Sequence, residues 1–315
     1  MALDVAPEHG PLILSPSTST QATRESSRVA LVTCGLFPSL WDDDHPLRDA
    51  LLAKGVAVDA VRWDDPAADW ASYQAVVLRS PWDYVPRRAE FVAWAHSVPG
   101  LLNPAAVVEW NTDKRYLHEL AEAGAPVTPT TYVSPGETWQ PPSGGEWVVK
   151  PTISAGSQDT GRYALPSQLE LAEAHVARLT SLGRTAMIQP YLSAVDTAGE
   201  TALLYFADPS SGTLTFSHAA RKGPMLTGPD EGKIDPGSED ITARSASPAE
   251  LETAERVLAA IPERFRDLLY ARVDVIPGPD GVPLLVELEL TEPSLFLRTS
   301  PAAALRLAEA IRTRL

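Results

Sequence analysis

The sequence predicts a mixed α/β protein, with an open, mainly parallel sheet at the N-terminal side and α+β units after it. Two observations predict this. Residues 28 to about 105 alternate strand and helix patterns, the signature of a sheet with helices on its faces. Near the C-terminus, Ala271 to Leu290 reads as two strands around Asp280-Gly281, a strong hairpin signal.

The elements follow in order. Val29-Ala-Leu-Val32 is a strand, Pro46 to Lys54 a helix closed by Gly55, and Val56 to Val61 and Ala75 to Leu78 are strands. Arg87 to Val98 is an amphipathic helix before Gly100. The next unit, 106 to about 190, holds a helix from Thr112 to Ala123, a Thr-rich strand from Val127 to Val133 and a strand at Trp147-Val-Val-Lys150. Ser167-Gln-Leu-Glu170 reads as a capping box opening a helix to Gly183, and Met187 to Leu192 as a strand. The last unit, 191–315, holds strands at 200–207 and 213–219 and a Gly-, Pro- and Asp-rich loop at 223–240. There Ser247-Pro-Ala-Glu250 is a second capping box with Pro at the first helical position. The helix it opens carries a stripe of Leu251, Ala254, Val257, Leu258 and Ile261. The hairpin and a helix from Pro301 to Leu315 follow. Residues 1 to about 27 read as a polar tail. They lack the basic start and long apolar run of a signal peptide.

Composition narrows the function. The chain has 315 residues, 44% hydrophobic and 21% charged, as in ordinary globular proteins. A net charge of −15 argues against a nucleic-acid footprint, and no apolar stretch reaches membrane-spanning length. The single cysteine, Cys34, excludes an internal disulfide, suits a reducing cytoplasm and reads as a small core residue.

The hairpin carries the chemistry. Glu287 and Glu289 alternate with Val286, Leu288 and Leu290, which places the acids on one face and the apolar residues on the other. A loop centred on Asp280-Gly281 sets Asp274 opposite Glu287 and Arg272 opposite Glu289. Three close carboxylates repel unless a hard divalent cation sits between them. An isolated Glu-x-Glu is ordinarily a solvated pair, but Asp274 lies inside an apolar strand. A second signal is Lys150 at a strand end before Ser154-Ala-Gly-Ser157, a loop whose backbone N–H groups can approach a phosphate. It is not a Walker A loop, because the lysine precedes the glycine. Third, Lys114 is placed in the first turn of a helix, where the dipole disfavours a cation without an anion nearby, Asp113 being the plain partner. Fourth, Ser217-His-Ala-Ala-Arg-Lys222 ends a strand in two cations, with His218 read as a half-buried, satisfied histidine. Arg79-Ser-Pro-Trp-Asp-Tyr84 lies beyond a strand end, where open sheets bind ligands.

Taken in order, Lys114, Gly124-Ala-Pro-Val-Thr-Pro-Thr130, Val148-Val-Lys-Pro151 with its Ser/Gly loop, Ile188-Gln-Pro-Tyr-Leu192, Arg272-x-Asp274 and Glu287-x-Glu289 resemble the ATP-grasp superfamily. The resemblance spans about residues 30 to 300. It is nearest the glutathione-synthetase-like branch that includes the cyclo-ligase of cycloserine biosynthesis and related amino-acid ligases. Arg79–Tyr84, Trp110-Asn111, Ser217-His218 with Lys222, and Glu287-Leu-Glu-Leu-Thr-Glu-Pro-Ser-Leu295 carry that part. The resemblance implies ATP and Mg²⁺, two ions with Mn²⁺ able to substitute. Lys114 and Lys150 would hold phosphates, with Ser154, Gly156 and Ser157 in a mobile loop over them. Gln189, Tyr191 and Leu192 would receive adenine, and Asp196 or Glu200 the ribose. Asp274, Glu287 and Glu289 would bind metal. The superfamily often has Asn where this chain has Glu289, so the metal count stays open. Arg272 and Lys222, with Lys150, would steady the transferred phosphoryl group. Arg79, Trp82, Asp83, Tyr84, Arg221 and Ser294 would suit a zwitterion. The implied reaction joins a carboxylate to an amine through an acyl-phosphate, giving a dipeptide-like amide. The alternatives are ring closure within one substrate and a non-catalytic nucleotide-binding module. Amino acids are the expected partners, with a homodimer as a further expectation, and neither nucleic acid nor membrane.

Overall fold

The structure, a computed structural model, describes residue 1 and residues 27–232 and 240–315. Most of the expected tail (2–26) and the end of the loop expected at 223–240 (233–239) lie outside the described residues.

The first sheet has the order β2-β1-β3-β4 and is parallel throughout, from β1 (Arg28–Thr33), β2 (Ala57–Arg62), β3 (Ala75–Ser80) and β4 (Leu101–Leu102). Helices α1 (His45–Ala53) and α2 (Arg88–Ser97) are the crossovers. Strands buried on both faces read as continuous apolar runs, and β3 is buried from end to end, Arg79 included. Cys34 is a buried core residue.

Two short helices, α3 (Ala105–Asn111) and α4 (Tyr116–Glu122), follow. The expected helix from Thr112 therefore begins only at Tyr116, and Lys114 stands in the turn between α3 and α4 rather than in a first helical turn. Its supposed partner Asp113 holds Arg115 instead, at 2.6 Å.

The second sheet, β5-β8-β6-β7, is antiparallel and built from β5 (Thr131–Val133), β6 (Gly145–Pro151), β7 (Gly161–Leu165) and β8 (Ala186–Pro190), with α5 (Leu169–Ser181) packed on it. The Thr-rich strand begins only at Thr131. Pro126 and Pro129 break it earlier, and that piece instead clamps Leu285 through Leu285 N to Pro126 O (2.8 Å) and Thr128 N to Leu285 O (2.9 Å). The capping box expected at Ser167 is absent. The turn before α5 takes both side chains, Ser167 Oγ donating to Ala164 O and Gln168 Oε1 accepting from Ala164 N.

The third sheet has the order β11-β10-β9-β12-β13 and is antiparallel. A short helix α6 (Val195–Ala198) leads through Gly199 into β9 (Glu200–Ala207). A Cβ at Gly199 would sit 2.7 Å from Lys222 O, so only glycine lets β9 start against β10 (Leu214–Lys222). After β11 (Ile241–Arg244), helix α7 (Pro248–Ala260) opens with the expected Ser247–Glu250 capping box. Strands β12 (Tyr270–Pro277) and β13 (Pro283–Glu289) form the hairpin, and α8 (Pro301–Arg312) ends the chain.

Helix α8 does not stay with the third sheet alone. Leu307 and Ile311 share a core with Leu47 and Leu51 of α1 and with Val29 and Leu31 of β1. That shared core ties the first sheet to the third, and the cavity opens where they meet.

Candidate active site

A cavity of about 950 Å³ lies among the three sheets. The hairpin forms its acidic wall. The register is the one the turn implies: Arg272 faces Glu289 and Asp274 faces Glu287. A bulge then shifts the pairing, Val275 lying opposite Leu285, so that Val286 is the extra residue. Past the bulge the alternation inverts. Val286 lines the cavity beside Glu287 instead of facing the core with Leu288, correcting the simple period-two assignment. With Ile276, Leu192 and Val195 it makes an apolar patch next to the acids, suited to a flat heterocycle.

The acids are met by cations. Lys114 Nζ lies 3.1 Å from Glu287 and donates to Ser154 O at 2.8 Å. Arg272 grips Asp274 with two nitrogens, at 2.9 and 2.8 Å, and also binds Glu289. Lys222 bridges Glu200 (2.6 Å) and Asp274 (3.2 Å). Burial pushes the Glu287 carboxyl up, but Lys114 and Lys150 outweigh it and hold it below the usual carboxylate range. Burial likewise opposes Asp274's charge, and Arg272 and Lys222 win, keeping it well ionised. Glu289 and Glu200 go the other way, pushed up by burial to about 8 and about 7. Of the three acids expected to bind metal, Glu287 and Glu289 line the cavity, while Asp274 is fully buried behind them and does not.

The Lys150 ammonium makes no hydrogen bond or ion pair with the described residues, and its burial lowers its pKa. An ammonium so placed is a poor resting arrangement and a good anion site. The loop after it, with Ser154, Gly156 and Ser157, lines the cavity, and Gly156 and Ser157 both have left-handed backbone.

Further along, Gln189, Tyr191 and Leu192 line the cavity, although the Gln189 amide is tied to Thr130 at 2.9 Å. Arg162 stacks 3.7 Å over the Tyr191 ring. Of the two ribose candidates, Glu200 lines the cavity. Asp196 does not, being turned to Tyr191 Oη (2.5 Å) and Arg162 (3.3 Å).

The zwitterion set divides. Trp82, Tyr84 and Ser294 line the cavity. Arg79 does not and is a correction: fully buried and outside the cavity lining, it donates to Asp44 (2.9 Å), Leu78 O (3.0 Å) and Pro293 O (2.6 Å). Asp83 accepts from Trp63 Nε1 at 2.7 Å, and Arg221 is held by Ala198 O and Asp240; neither reaches the cavity. His218 is satisfied as expected, by Ser217 Oγ and Leu295 O, both at 2.9 Å.

Sequence reasoning missed a strap over residues 290–295. Among the described residues it has no strand partner, yet six consecutive carbonyls each meet a side chain from elsewhere. Asn103 reaches Leu290 O (2.6 Å), Tyr270 reaches Thr291 O (2.9 Å), and Trp82 reaches Glu292 O (3.0 Å). Arg79 reaches Pro293 O (2.6 Å), Arg272 reaches Ser294 O (3.1 Å) and His218 reaches Leu295 O (2.9 Å). At about 0.5–1.5 kcal/mol each, such bonds fix an otherwise irregular segment. Glu292 lines the cavity from it, as do Phe37, Trp41, Asp42 and Arg298 from other segments, none of them expected. The only signal for Glu292 was its place in the Glu-Leu-Thr-Glu-Pro-Ser run.

Three sheets around one cavity, with lysines facing a Glu-x-Glu hairpin, define an ATP-grasp ligase. The fold is that of the D-alanine–D-alanine ligase of Bacillus anthracis solved with ATP, at TM-score 0.60 and 12% identity over 91% of this chain and 96% of that one. Closer similarity is to the crystal structure of D-cycloserine synthetase DcsG: TM-score 0.80 and 37% identity over 90% of this chain and 98% of that one. The cycloserine biosynthesis protein DcsG of Streptomyces lavendulae is 39% identical over 302 residues, 91% of this chain and 98% of the relative. The family described as the DcsG N-terminal domain matches residues 29–103. The chain belongs to the DcsG family. It is an enzyme, an ATP-dependent ligase forming a C–N bond, and its family uses ATP and a divalent metal. No helix among the described residues is long and apolar enough to cross a membrane.

Proposed function

We propose that the protein closes a ring, activating the carboxylate of one amino-acid-like substrate with ATP and joining it to a nitrogen of the same molecule. The observation that carries this is one cavity lined by Lys114, Lys150, Lys222 and Arg272, with Lys114 paired to Glu287, Arg272 to Glu289 and Lys222 to Glu200. The 39% identity to a cycloserine biosynthesis protein favours ring closure over the two-component ligation expected from the sequence.

In this reading Lys114 and Lys150 hold the phosphates, and the 154–157 loop covers them. The apolar patch of Val286, Ile276 and Leu192 receives adenine, and Glu200 meets the ribose. Among the described residues no group of three or more His, Cys, Asp or Glu encloses a metal on its own. Mg²⁺ bound with a nucleotide needs only one or two carboxylates, the phosphates completing its shell, and Glu287 and Glu289 are hard oxygen donors on the right wall. Two ions, or Mn²⁺ in place of Mg²⁺, fit the same donors. The metal would neutralise phosphate charge.

A carboxylate oxygen of the substrate attacks the γ-phosphorus and ADP leaves. Arg272 and Lys222 stabilise the charge of the transferring phosphoryl group. The substrate's nitrogen then attacks the acyl carbon, phosphate leaves, and the nitrogen loses a proton. Loop closure keeps water from the acyl-phosphate. ATP as a substrate suits a cytoplasmic enzyme.

Screening amino acids singly and then in pairs for ADP release, with mass spectrometry of the products, tests the reading. Release with one component and a product lighter by one water is expected. A requirement for two components, with a heavier product, overturns ring closure in favour of ligation.

A further inference from the structure

The strap over residues 290–295 presents Glu292 to the cavity in a way the reaction above does not use. Among the described residues four glutamates line the cavity. Glu287 pairs with Lys114, Glu289 with Arg272 and Glu200 with Lys222. Glu292 has no ion pair among the described residues; Lys114 and Arg272 act on it only at longer range, and burial beside the Tyr84 side chain pushes its carboxyl up. A half-buried carboxylate without a counter-ion is an unfavourable arrangement in the free protein and a favourable one once a cation binds.

The surroundings are built for placement. Trp82 Nε1 holds the Glu292 carbonyl at 3.0 Å, and Arg79 holds the next one at 2.6 Å. Arg79 is itself locked by Asp44 at 2.9 Å. The segment Arg79 to Tyr84 thus braces the strap at two successive carbonyls, Glu292 O and Pro293 O. Phe37, Trp41 and Trp82 meet edge to face, with ring centres 5.0 to 5.8 Å apart, and wall this end of the cavity. Aromatic faces and one carboxylate without a counter-ion are the chemistry that receives an ammonium group.

The geometry points to Glu292 as the specificity residue that receives the substrate's free ammonium group, the one left out of the new amide, with the Arg79–Tyr84 segment as its brace. The inference rests on the ring-closing reading for the class of substrate. It corrects the sequence assignment, in which Arg79 and Asp83 themselves bound the zwitterion. Rigid placement is what discrimination needs, because a loosely held carboxylate would accept an amine anywhere nearby.

The test uses D-cycloserine, which keeps a free amine, and isoxazolidin-3-one, the same ring without it. Both are titrated by tryptophan fluorescence into the full chain with MgADP present. In the wild type, loss of the amine should weaken binding tenfold or more. Glu292→Gln should weaken D-cycloserine tenfold or more, leave isoxazolidin-3-one within twofold, and leave the affinity for MgADP within twofold. Glu292→Asp, which keeps the charge, should fall between wild type and Glu292→Gln.

Equal binding of the two rings by the wild type, or an equal loss for both rings in Glu292→Gln, overturns the assignment, as does failure of the wild type to bind D-cycloserine. Failure of the ring-closing reading shows separately, as ADP release that needs two components in a wild type that still distinguishes the rings. In turnover, a fall in kcat with unchanged KM for the amino acid in Glu292→Gln would make Glu292 a proton acceptor and also overturn the assignment.

Discussion

Arg79 and Arg272 are alike in most local respects and opposite in use. Each sits in a strand, buried, with its guanidinium 5.3 Å from an aromatic ring centre, over Tyr270 and Phe296 respectively. Each grips an aspartate and donates to a carbonyl of the same strap. The difference is the last partner. Arg79 has Leu78 O and no access to the cavity, whereas Arg272 has Glu289, on the cavity wall. A buried guanidinium is a structural bolt when all its partners lie away from a site, and a working group when one partner lines it. Charge and burial alone do not separate the two.

The largest expected effects would break this comparison directly. Arg272→Lys keeps the charge and loses the planar fork, so kcat should fall by roughly 10²–10³-fold, the scale of losing one transition-state donor. Asp44→Asn leaves Arg79 charged and unpaired, and should cost about 3–5 kcal/mol of stability in urea unfolding with ATP affinity intact. If Arg272→Lys turns over normally, or Asp44→Asn unfolds like the wild type, the division of roles is wrong.

Next in size is Lys150→Ala. It removes a charge-assisted contact and should weaken ATP by about 1.5–3 kcal/mol by calorimetry. Lys150 makes no direct ion pair among the described residues, and its removal sets the relief of a buried charge against the support it gives Glu287, so unfolding should change less than in Asp44→Asn. Unchanged ATP affinity would remove Lys150 from the phosphate site.

Smaller still is a pH effect away from the cavity. His175 is buried against the Tyr163 hydroxyl at 2.8 Å, and burial followed by the Arg178 charge lowers its pKa. With the folded pKa below the ordinary value of about 6.5, the unfolded chain binds more protons between the two. Stability therefore rises with pH across that window and is lost as pH falls below about 6.5. His175→Gln should flatten that part of the Tm–pH curve. A slope that survives the substitution assigns it to other groups.

Legibility in the sequence followed the range of the interactions. The facing of Asp274 with Glu287 was readable because a local Asp-Gly turn fixes the register within a few residues. The bulge at Val286 was not, since nothing in Val-Glu-Leu-Glu marks which residue is extra. Arg79 misled because its partners lie 35 and 214 residues away, and the strap is held from both ends of the chain. The lysines were readable by type and order, but Lys114 was placed on the wrong local structure. The turn that carries it is fixed by backbone contact with Thr152 (2.8 Å), part of the loop it serves.

The smallest expected effect concerns that loop. A Cβ at Gly156 would meet nothing within 4 Å, so Gly156→Ala has no packing cost, but the backbone there has φ of +59°, which an L-residue disfavours. If the free loop can leave this conformation and bound phosphates fix it, the substitution costs about 1 kcal/mol in the bound state alone, roughly fivefold in ATP affinity. If ATP closes the loop by changing Gly156 to a right-handed conformation, alanine costs nothing in the bound state and ATP should bind equally well or slightly more tightly. Hydrogen exchange over residues 152–160 then separates a loop that orders from one that is already set. Protection that appears with MgATP in both wild type and Gly156→Ala, with no loss of affinity, would mean that the left-handed backbone belongs to the open state alone. A fivefold loss with protection retained would place it in the closed one. Unlike the arginine tests, this one leaves every charge in place, so it isolates the backbone's share of phosphate binding from that of Lys114 and Lys150.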